Sequence, residues 1–213
     1  MLVVDLMTRQ VITVTRETPV LDALKIMNDR GFRRLPVVDE DGRPTGVVSL
    51  RAIEALKPQS GIPSLWQAGP WAAKHIVGDV MNKRLVTVRP TDTVELATTK
   101  AQTNQVGSLL VVDDGKLVGL ITTKDIFFRV VNPTLGIGEP GTRVVVVGGG
   151  TGRNAENIIG TINRLGVGIR VIWAVKSAIN NKNNLVVHLD TEDARNVVGE
   201  LTRLGYESRV VNR

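Results

Sequence analysis

The chain has 213 residues, of which 42% are hydrophobic, 23% are charged and none is cysteine. The lack of cysteine excludes disulfides and thiolate chemistry, and two histidines, His75 and His188, are too few for a histidine-rich metal site. The net charge of +6 fits an anionic ligand or nucleic acid, but 3% aromatic residues provide few platforms for stacking bases. No segment has the roughly 18 consecutive apolar residues of a membrane span, and no secretory signal is visible. We therefore expect a cytoplasmic protein without membrane contact.

An internal repeat organises the first two thirds of the chain. Asp5-Leu6-Met7 recurs 74 residues later as Asp79-Val80-Met81. At the same offset, residues 35–39 align with residues 109–113, and each run is apolar and ends in Asp. After one deletion in the following turn, residues 46–49 align with residues 119–122. Several matches in constant order indicate a duplicated unit.

Each copy predicts the same elements in the same order. A short extended segment leads into a helix with apolar residues at helical spacing, and an apolar strand (35–38 or 109–112) follows. A tight Asp/Gly turn then joins a returning strand (46–50 or 118–122), and a closing helix starts near Arg51 or Lys124. A unit of about 55 residues buries little apolar surface alone, so we expect the two copies to pack on each other.

The two hairpins, each closing in Gly-hydrophobic-hydrophobic-Ser/Thr, with the second continuing to x-x-Asp, resemble a tandem pair of CBS (cystathionine-β-synthase) domains, a Bateman module. The resemblance assigns residues 1–56 to one CBS repeat and residues 77–132 to a second. Residues 57–76 would be a linker, and its Trp66 and Trp71 either cover apolar surface or form a flap over a ligand. The resemblance implies a non-catalytic module that binds an adenosine-containing ligand and regulates something attached to it.

The closing motif of the second copy suits a nucleotide. Thr122 and Thr123 stand where a helix N-cap is expected, and the free amides of a helix start attract a phosphate. Asp125 can accept hydrogen bonds from both ribose hydroxyls, and Lys124 can add positive charge. We expect an adenine slot between the strand residues Leu110, Val111 and Val112 and the preceding segment of Arg84, Leu85 and Val86. The alternative is a helix cap without any ligand.

The first copy departs from this pattern. Ser49 keeps the hydroxyl, but Ala52 stands in the place of the ribose-binding carboxylate. Losing such a charge-assisted contact costs about 1.5–3 kcal/mol, or about 10- to 150-fold in affinity. We therefore predict one competent nucleotide site per module, with the Ser49 side weak or empty. Arg33 and Arg34 precede the first apolar strand and either reach the phosphates or stay in solvent.

The last third of the chain predicts a separate α+β domain. Residues 133–141 are rich in Gly and Pro and read as a linker, so the domain spans residues 142–213. A strand over 142–147, an amphipathic helix, strands over 168–175 and 185–189, a helix over 191–204 and a strand over 207–211 follow in turn. This βαββαβ order is ferredoxin-like.

A glycine-rich loop follows the first strand of this domain. Residues 150–155 match the dinucleotide pattern G-x-G-x-x-A, but the second strand lacks the acidic residue that would hold a ribose. Residues 155–172 resemble instead the helix-to-strand signature of ACT domains, although the Asp-x-Pro-Gly opening common there is missing. In that family the loop contacts an amino acid or similar effector at a subunit interface, which here implies Gly149, Gly150, Thr151, Gly152, Arg153 and Asn154. The alternative is a turn that needs glycine for its backbone.

The predicted fold class is therefore α+β, a tandem CBS pair followed by a ferredoxin-like, ACT-like domain, and the layout resembles the CBS–ACT proteins of the acetoin-utilisation type. The expected function is regulatory and non-enzymatic: an adenine nucleotide (AMP, ADP, ATP or a related adenosyl compound) binds the CBS pair. The ACT-like domain would serve assembly or a second effector, and a homodimer is the expected assembly. We expect no catalytic cofactor and no metal, and the target would be an enzyme or a transporter. The competing function is a nucleic-acid-binding accessory protein that uses the basic surface.

Overall fold

The computed structural model describes residues 1–56, 74–179 and 181–211. The chain forms two compact units, Met1–Phe127 and Phe128–Arg213. Trp66 and Trp71, for which we predicted a role in covering apolar surface or a ligand, lie outside the described residues.

The first unit contains both copies of the repeat, each built as predicted from a helix, a hairpin and a closing helix. The elements of the first copy are α1 (Val3–Leu6), α2 (Val20–Arg30), β1 (Arg34–Val38), β2 (Pro44–Ser49) and α3 (Leu50–Glu54). The elements of the second copy are α4 (Val77–Val80), β3 (Thr87–Val88), α5 (Val94–Thr103), β4 (Ser108–Asp113), β5 (Lys116–Thr122) and α6 (Thr123–Ile126).

The chain turns sharply where the sequence places small or flexible residues. In the second hairpin, Asp114 and Gly115 both have positive φ, 47° and 77°, which is the backbone of a tight type I′ turn. Helix α2 ends at Gly31 in the left-handed conformation, with φ 67° and ψ 25°. This turn sends Phe32 and the arginines that follow it directly into β1.

We define residues 7–12 and 81–86 as the leading segments of the two copies. The leading segment of each copy pairs with the hairpin of the other copy. Thr8 and Leu120 of β5 exchange both backbone hydrogen bonds, at 2.8 and 3.0 Å. In the same way, Asn82 and Val47 of β2 exchange theirs at 2.9 and 3.0 Å. Each hairpin edge is therefore closed by the opposite copy, and Val77 from the second copy joins the buried core of the first.

The second unit has the βαββαβ order predicted from the sequence. A π-helical turn (Phe127–Val131) leads from the first unit into α7 (Asn132–Leu135), and the elements after it are β6 (Thr142–Val146), α8 (Gly152–Arg164), β7 (Ile169–Lys176), β8 (Asn183–Leu189), α9 (Arg195–Arg203) and β9 (Ser208–Val211). The four strands form one sheet in the order β7-β8-β6-β9, and all neighbouring pairs are antiparallel. The core is formed by one face of this sheet and the apolar faces of α8 and α9.

Two stretches of this unit differ from the prediction. Residues 133–141, predicted as a linker, include most of α7 and belong to the second unit: the Arg143 guanidinium donates to the carbonyl oxygens of Leu135 and Gly136 at 2.6 and 3.2 Å. Helix α9 begins at Arg195 and not at Thr191. The Thr191 hydroxyl accepts from the Asp193 amide, and an Asp193 carboxylate oxygen accepts from the Arg195 amide, so these side chains hold a turn that competes with a helical start.

Candidate functional site

Two neighbouring cavities, together called the crevice, lie in the first unit between the copies. Their volumes are about 450 and 260 Å³, and the larger one is in the range of small-molecule sites. Both are lined by residues of both copies, and they share Arg34, Val47, Ser108 and Leu110. The crevice therefore exists only because the two copies pack together.

The larger cavity is lined by the closing motif of the second copy and by the start of β1. Thr122, Thr123 and Lys124 of the second copy line it together with Phe32, Arg33 and Arg34 of the first. Phe32 is 41% exposed, a high value for an aromatic side chain in a packed unit. The structure thus places Arg33 and Arg34 on the same cavity as the motif.

Thr122 and Asp125 form a closed pair at the start of α6. The Asp125 Oδ2 atom accepts from the Thr122 amide at 2.9 Å and from its hydroxyl at 2.6 Å, and the Thr122 hydroxyl accepts from the Asp125 amide at 3.1 Å. The Thr122 hydroxyl proton is therefore directed to Asp125. Asp125 is half-buried, and no described residue donates to its Oδ1, which can still accept.

The first copy has the same cap without the carboxylate. The Ser49 hydroxyl accepts from the Ala52 amide at 3.2 Å, which reproduces the backbone of the Thr122 cap. Ser49 lines the smaller cavity together with Arg84 and Val86. Position 52 carries no acidic side chain, so this half of the crevice has the hydroxyl of the motif but not its carboxylate.

The predicted adenine slot is divided between the two cavities. Arg84 and Val86 lie on the Ser49 side, away from Thr122, because their leading segment crosses to pair with β2 of the first copy. Leu110 borders both cavities, whereas Val111 has no exposed surface and belongs to the core. Leu85 and Asp125 do not line either cavity among the described residues. The local sequence carries no sign of this crossing.

The lining residues that the sequence analysis missed include Phe32, Arg30 and Gly107. A Cβ added to Gly107 would lie 3.3 Å from Arg34 Nη1 and 3.9 Å from Thr123 Oγ1. The missing side chain therefore leaves room for the guanidinium next to the Thr123 hydroxyl. The run Phe32-Arg33-Arg34 directly after a helix-ending glycine was the one signal that could have located this wall.

The glycine-rich loop of the second unit uses its amides internally. Those of Gly148, Gly149 and Gly150 donate to Asn184 Oδ1, the Val146 carbonyl and the Asn183 carbonyl at 3.2, 3.2 and 2.9 Å. A Cβ at Gly149 would lie 2.6 Å from Ile158 Cδ1, and one at Gly150 would lie 3.0 Å from the Asn184 carbonyl oxygen. The glycines thus serve close packing, and these three amides do not point to a bound anion.

The described residues contain no group of three or more His, Cys, Asp or Glu side chains arranged to hold a metal ion. His75 pairs with Asp79 at 3.6 Å, and His188 is fully buried, with its Nε2 3.0 Å from the Pro140 carbonyl oxygen. None of the described helices has the length and apolar character needed to cross a bilayer.

These features define a module of two repeats with cavities between them, and comparison with known proteins identifies its family. The CBS domain model matches residues 3–55 and 77–132, half of the chain. A CBS domain-containing protein of Dictyostelium discoideum is 30% identical over 127 residues, which cover 59% of this chain and 88% of that protein. The chain belongs to the CBS-domain family.

Two solved structures share the architecture of the first unit. A Vibrio cholerae protein assigned to acetoin utilization (AcuB) is 27% identical with a TM-score of 0.54, and the match covers 66% of this chain and 98% of that one. CBSX2, solved in complex with AMP, is 29% identical with a TM-score of 0.52 and covers 62% of this chain and 96% of that one. CBSX2 is a CBS-pair protein of Arabidopsis thaliana.

Other curated relatives share only this part. The match spans 27% of an uncharacterized protein of Methanocaldococcus jannaschii, at 31% identity. It spans 22% of the inosine-5'-monophosphate dehydrogenase of Thermoplasma acidophilum, at 34% identity. The shared segment thus occurs both in compact CBS proteins and as part of a larger enzyme.

Proposed function

We propose that the chain is a regulatory sensor whose CBS pair binds an adenine nucleotide in the larger cavity. The observation that carries this proposal is the convergence, across one cavity, of the Thr122–Lys124 motif and Arg33 and Arg34 from the other copy. The AMP complex of CBSX2, a protein of similar fold, supports the choice of ligand. The module binds its ligand without chemical turnover.

The lining residues, together with Asp125 at the end of the motif beside the cavity, divide into three chemical roles. Asp125 Oδ1 accepts from the ribose hydroxyls at the end of the motif. Arg33 and Arg34 bind the phosphate, since guanidinium groups match phosphate oxygens in pairs. Phe32 and Leu110 provide apolar surface for the base. Because Ala52 replaces the acid in the first copy, each chain holds one nucleotide.

The second unit mediates assembly of the chains or binds a second small molecule. Its βαββαβ order and sheet are those expected of an ACT-like domain, and we propose that it joins two chains into a homodimer or senses a second small molecule such as an amino acid. The regulated target is an enzyme or a transporter in the cytoplasm.

Isothermal titration of AMP into the full chain and into Asp125→Ala tests the nucleotide site. The variant should fold, because the first copy carries alanine at the matching position and still forms its cap. We expect one AMP per chain and an affinity about 10- to 150-fold lower in the variant. Asp22→Ala, which removes an exposed acid from α2, is the control and should bind as the parent does.

An unchanged affinity in Asp125→Ala would remove this site from the proposal. Binding of duplex DNA that falls steeply with salt and is indifferent to AMP would instead support a nucleic-acid-binding protein.

A further inference from the structure

We infer that the crevice selects nucleotides with two or more phosphates and rejects cationic adenosyl compounds. This inference rests on the proposed function and concerns the same site. It assigns the specificity to basic residues of the first copy, Arg30, Arg33 and Arg34, which the repeat motif itself does not contain.

Among the residues that the structure describes, the charged side chains lining the two cavities are all basic. Arg30, Arg33, Arg34 and Lys124 line the larger cavity, and Arg84 joins Arg34 at the smaller one. No described residue lining either cavity is Asp or Glu. Guanidinium and lysine ammonium groups carry a full charge at neutral pH, so five basic side chains border the two cavities.

The three first-copy arginines are held without a neutralising partner. Within the described parts of the chain, no acceptor or carboxylate engages the side chain of Arg30, Arg33 or Arg34. By contrast, Arg195 bonds Asp193 and Arg203 bonds Glu200, both at 2.6 Å. A cluster of like charges in a concave surface raises the local potential and attracts an anion.

One of these arginines converges with a neutral donor. Arg34 Nη1 and the Thr123 hydroxyl both lie close to the backbone of Gly107, within 3.3 and 3.9 Å of the point where its Cβ would be. The two groups can therefore donate to one phosphate. Arg33 lines the same cavity and can donate to further phosphate oxygens.

The number of charges favours a polyphosphate. A nucleoside monophosphate carries about two negative charges at neutral pH, and di- and triphosphates carry about three and four, so the three first-copy arginines are matched best by the larger anions. S-adenosylmethionine carries a sulfonium cation where a nucleotide carries phosphate, and that cation would face the arginines. We therefore expect ADP and ATP to bind more tightly than AMP, and AMP more tightly than adenosine or S-adenosylmethionine.

Competition titrations against the full chain test this order. The ligands are adenosine, AMP, ADP, ATP and S-adenosylmethionine, and the proteins are the parent, Arg33→Gln/Arg34→Gln and Lys25→Gln. Lys25 lies on α2 with Arg30, is exposed and lines neither cavity, so its variant controls for net charge. We expect the parent to bind ADP at least tenfold more tightly than AMP, and the double variant to lose most of this ratio while it still binds adenosine as the parent does.

The outcomes separate the two proposals. If AMP, ADP and S-adenosylmethionine bind the parent equally well, or if the double variant keeps the ADP preference, the inference is wrong and nucleotide binding itself stands. If no adenine compound binds the parent, the proposed function fails as well. An affinity for ADP that falls with rising salt in the parent and in Lys25→Gln, but much less in the double variant, would support the assigned arginines.

Discussion

Thr8 and Leu120 lie in different copies of the repeat and are joined by two backbone hydrogen bonds, with Thr8 N to Leu120 O at 2.8 Å and Leu120 N to Thr8 O at 3.0 Å. Asn82 and Val47 repeat this pairing with the copies exchanged. The pairing aligns the leading segment of one copy with the hairpin of the other, and this alignment places residues of both copies around the crevice.

Removing one of these bonds should weaken both copies. Thr8→Pro deletes the donor to Leu120, and the preceding Met7 already has the extended backbone that a following proline requires, with φ −64° and ψ 147°. We expect a loss of about 1–3 kcal/mol in the free energy of unfolding, measured by urea titration. Thr8→Ala keeps the backbone donor and should change it by less than about 0.5 kcal/mol. Equal stabilities of the two variants would show that the bond contributes little.

Restoring the missing acid should create a second nucleotide site. In Ala52→Asp the new carboxylate would follow Ser49 at the spacing that joins Thr122 to Asp125, on a backbone that already forms the same cap. We expect titration calorimetry to show two nucleotides per chain where the parent binds one, the second weaker than the first. Ala52→Asn adds a side chain of similar size without charge and serves as the control. A stoichiometry that stays at one would mean that the acid is not what the first copy lacks.

The glycine loop should respond to added volume by losing stability. In Gly150→Ala the new methyl would approach Ala174 Cβ and the Asn184 carbonyl oxygen at 3.0 Å, and neither can move without the strand. We expect a destabilisation of about 1–3 kcal/mol, detected as faster amide hydrogen exchange in β6 and β8. Gly160→Ala, inside α8 with its nearest neighbour at 3.5 Å, should be neutral or stabilising by about 0.5–1 kcal/mol. Unchanged exchange in Gly150→Ala would contradict the packing role.

In the turn before α9, the titration of the Asp193 carboxyl group can be measured on its own. Hydrogen bonds from the Arg195 side chain and amide lower the pKa of Asp193 from 3.8 to about 2. The folded state therefore gains stability from this carboxylate above the unfolded pKa near 4, and loses it as the pH falls through about 2. In Arg195→Gln, carboxyl NMR should show the pKa of Asp193 rising toward its ordinary value.

Arg203→Gln is the matched control for that titration. The side-chain hydrogen bond from Arg203 lowers the pKa of Glu200, so this variant should raise the pKa of Glu200 and leave that of Asp193 in place. A pKa of Asp193 that is insensitive to residue 195 would show that the pair does not persist in solution.

The predicted elements followed from patterns that are local in sequence. The apolar strand predicted over 35–38 is observed as Arg34–Val38, and the strand over 109–112 as Ser108–Asp113, because each run is buried on a hairpin with a clear turn. The start of α9 was wrong by four residues, since Thr191 and Asp193 can hold a turn as well as a helix start.

The crevice was harder to predict because its walls meet through non-local pairing. Thr122 and Asp125 could be located from the repeat. The residues that line the cavity together with this motif, however, depend on which hairpin each leading segment pairs with. That choice moved Arg84 and Val86 to the Ser49 side and placed Phe32, Arg33 and Arg34 against Thr122 and its neighbours. No periodicity in the sequence of either leading segment indicates which hairpin the segment pairs with.

The reciprocal closure of β2 and β5 also bears on how the protein can be divided. A fragment that contains one copy would leave a hairpin with an open hydrogen-bonding edge, and such edges recruit strands from other molecules. Two fragments of this kind, produced together, can satisfy each other's edges as the intact chain does. The smallest part of the chain that can be transferred as a single piece without an open edge, in engineering or in evolution by domain shuffling, is therefore the complete pair of copies.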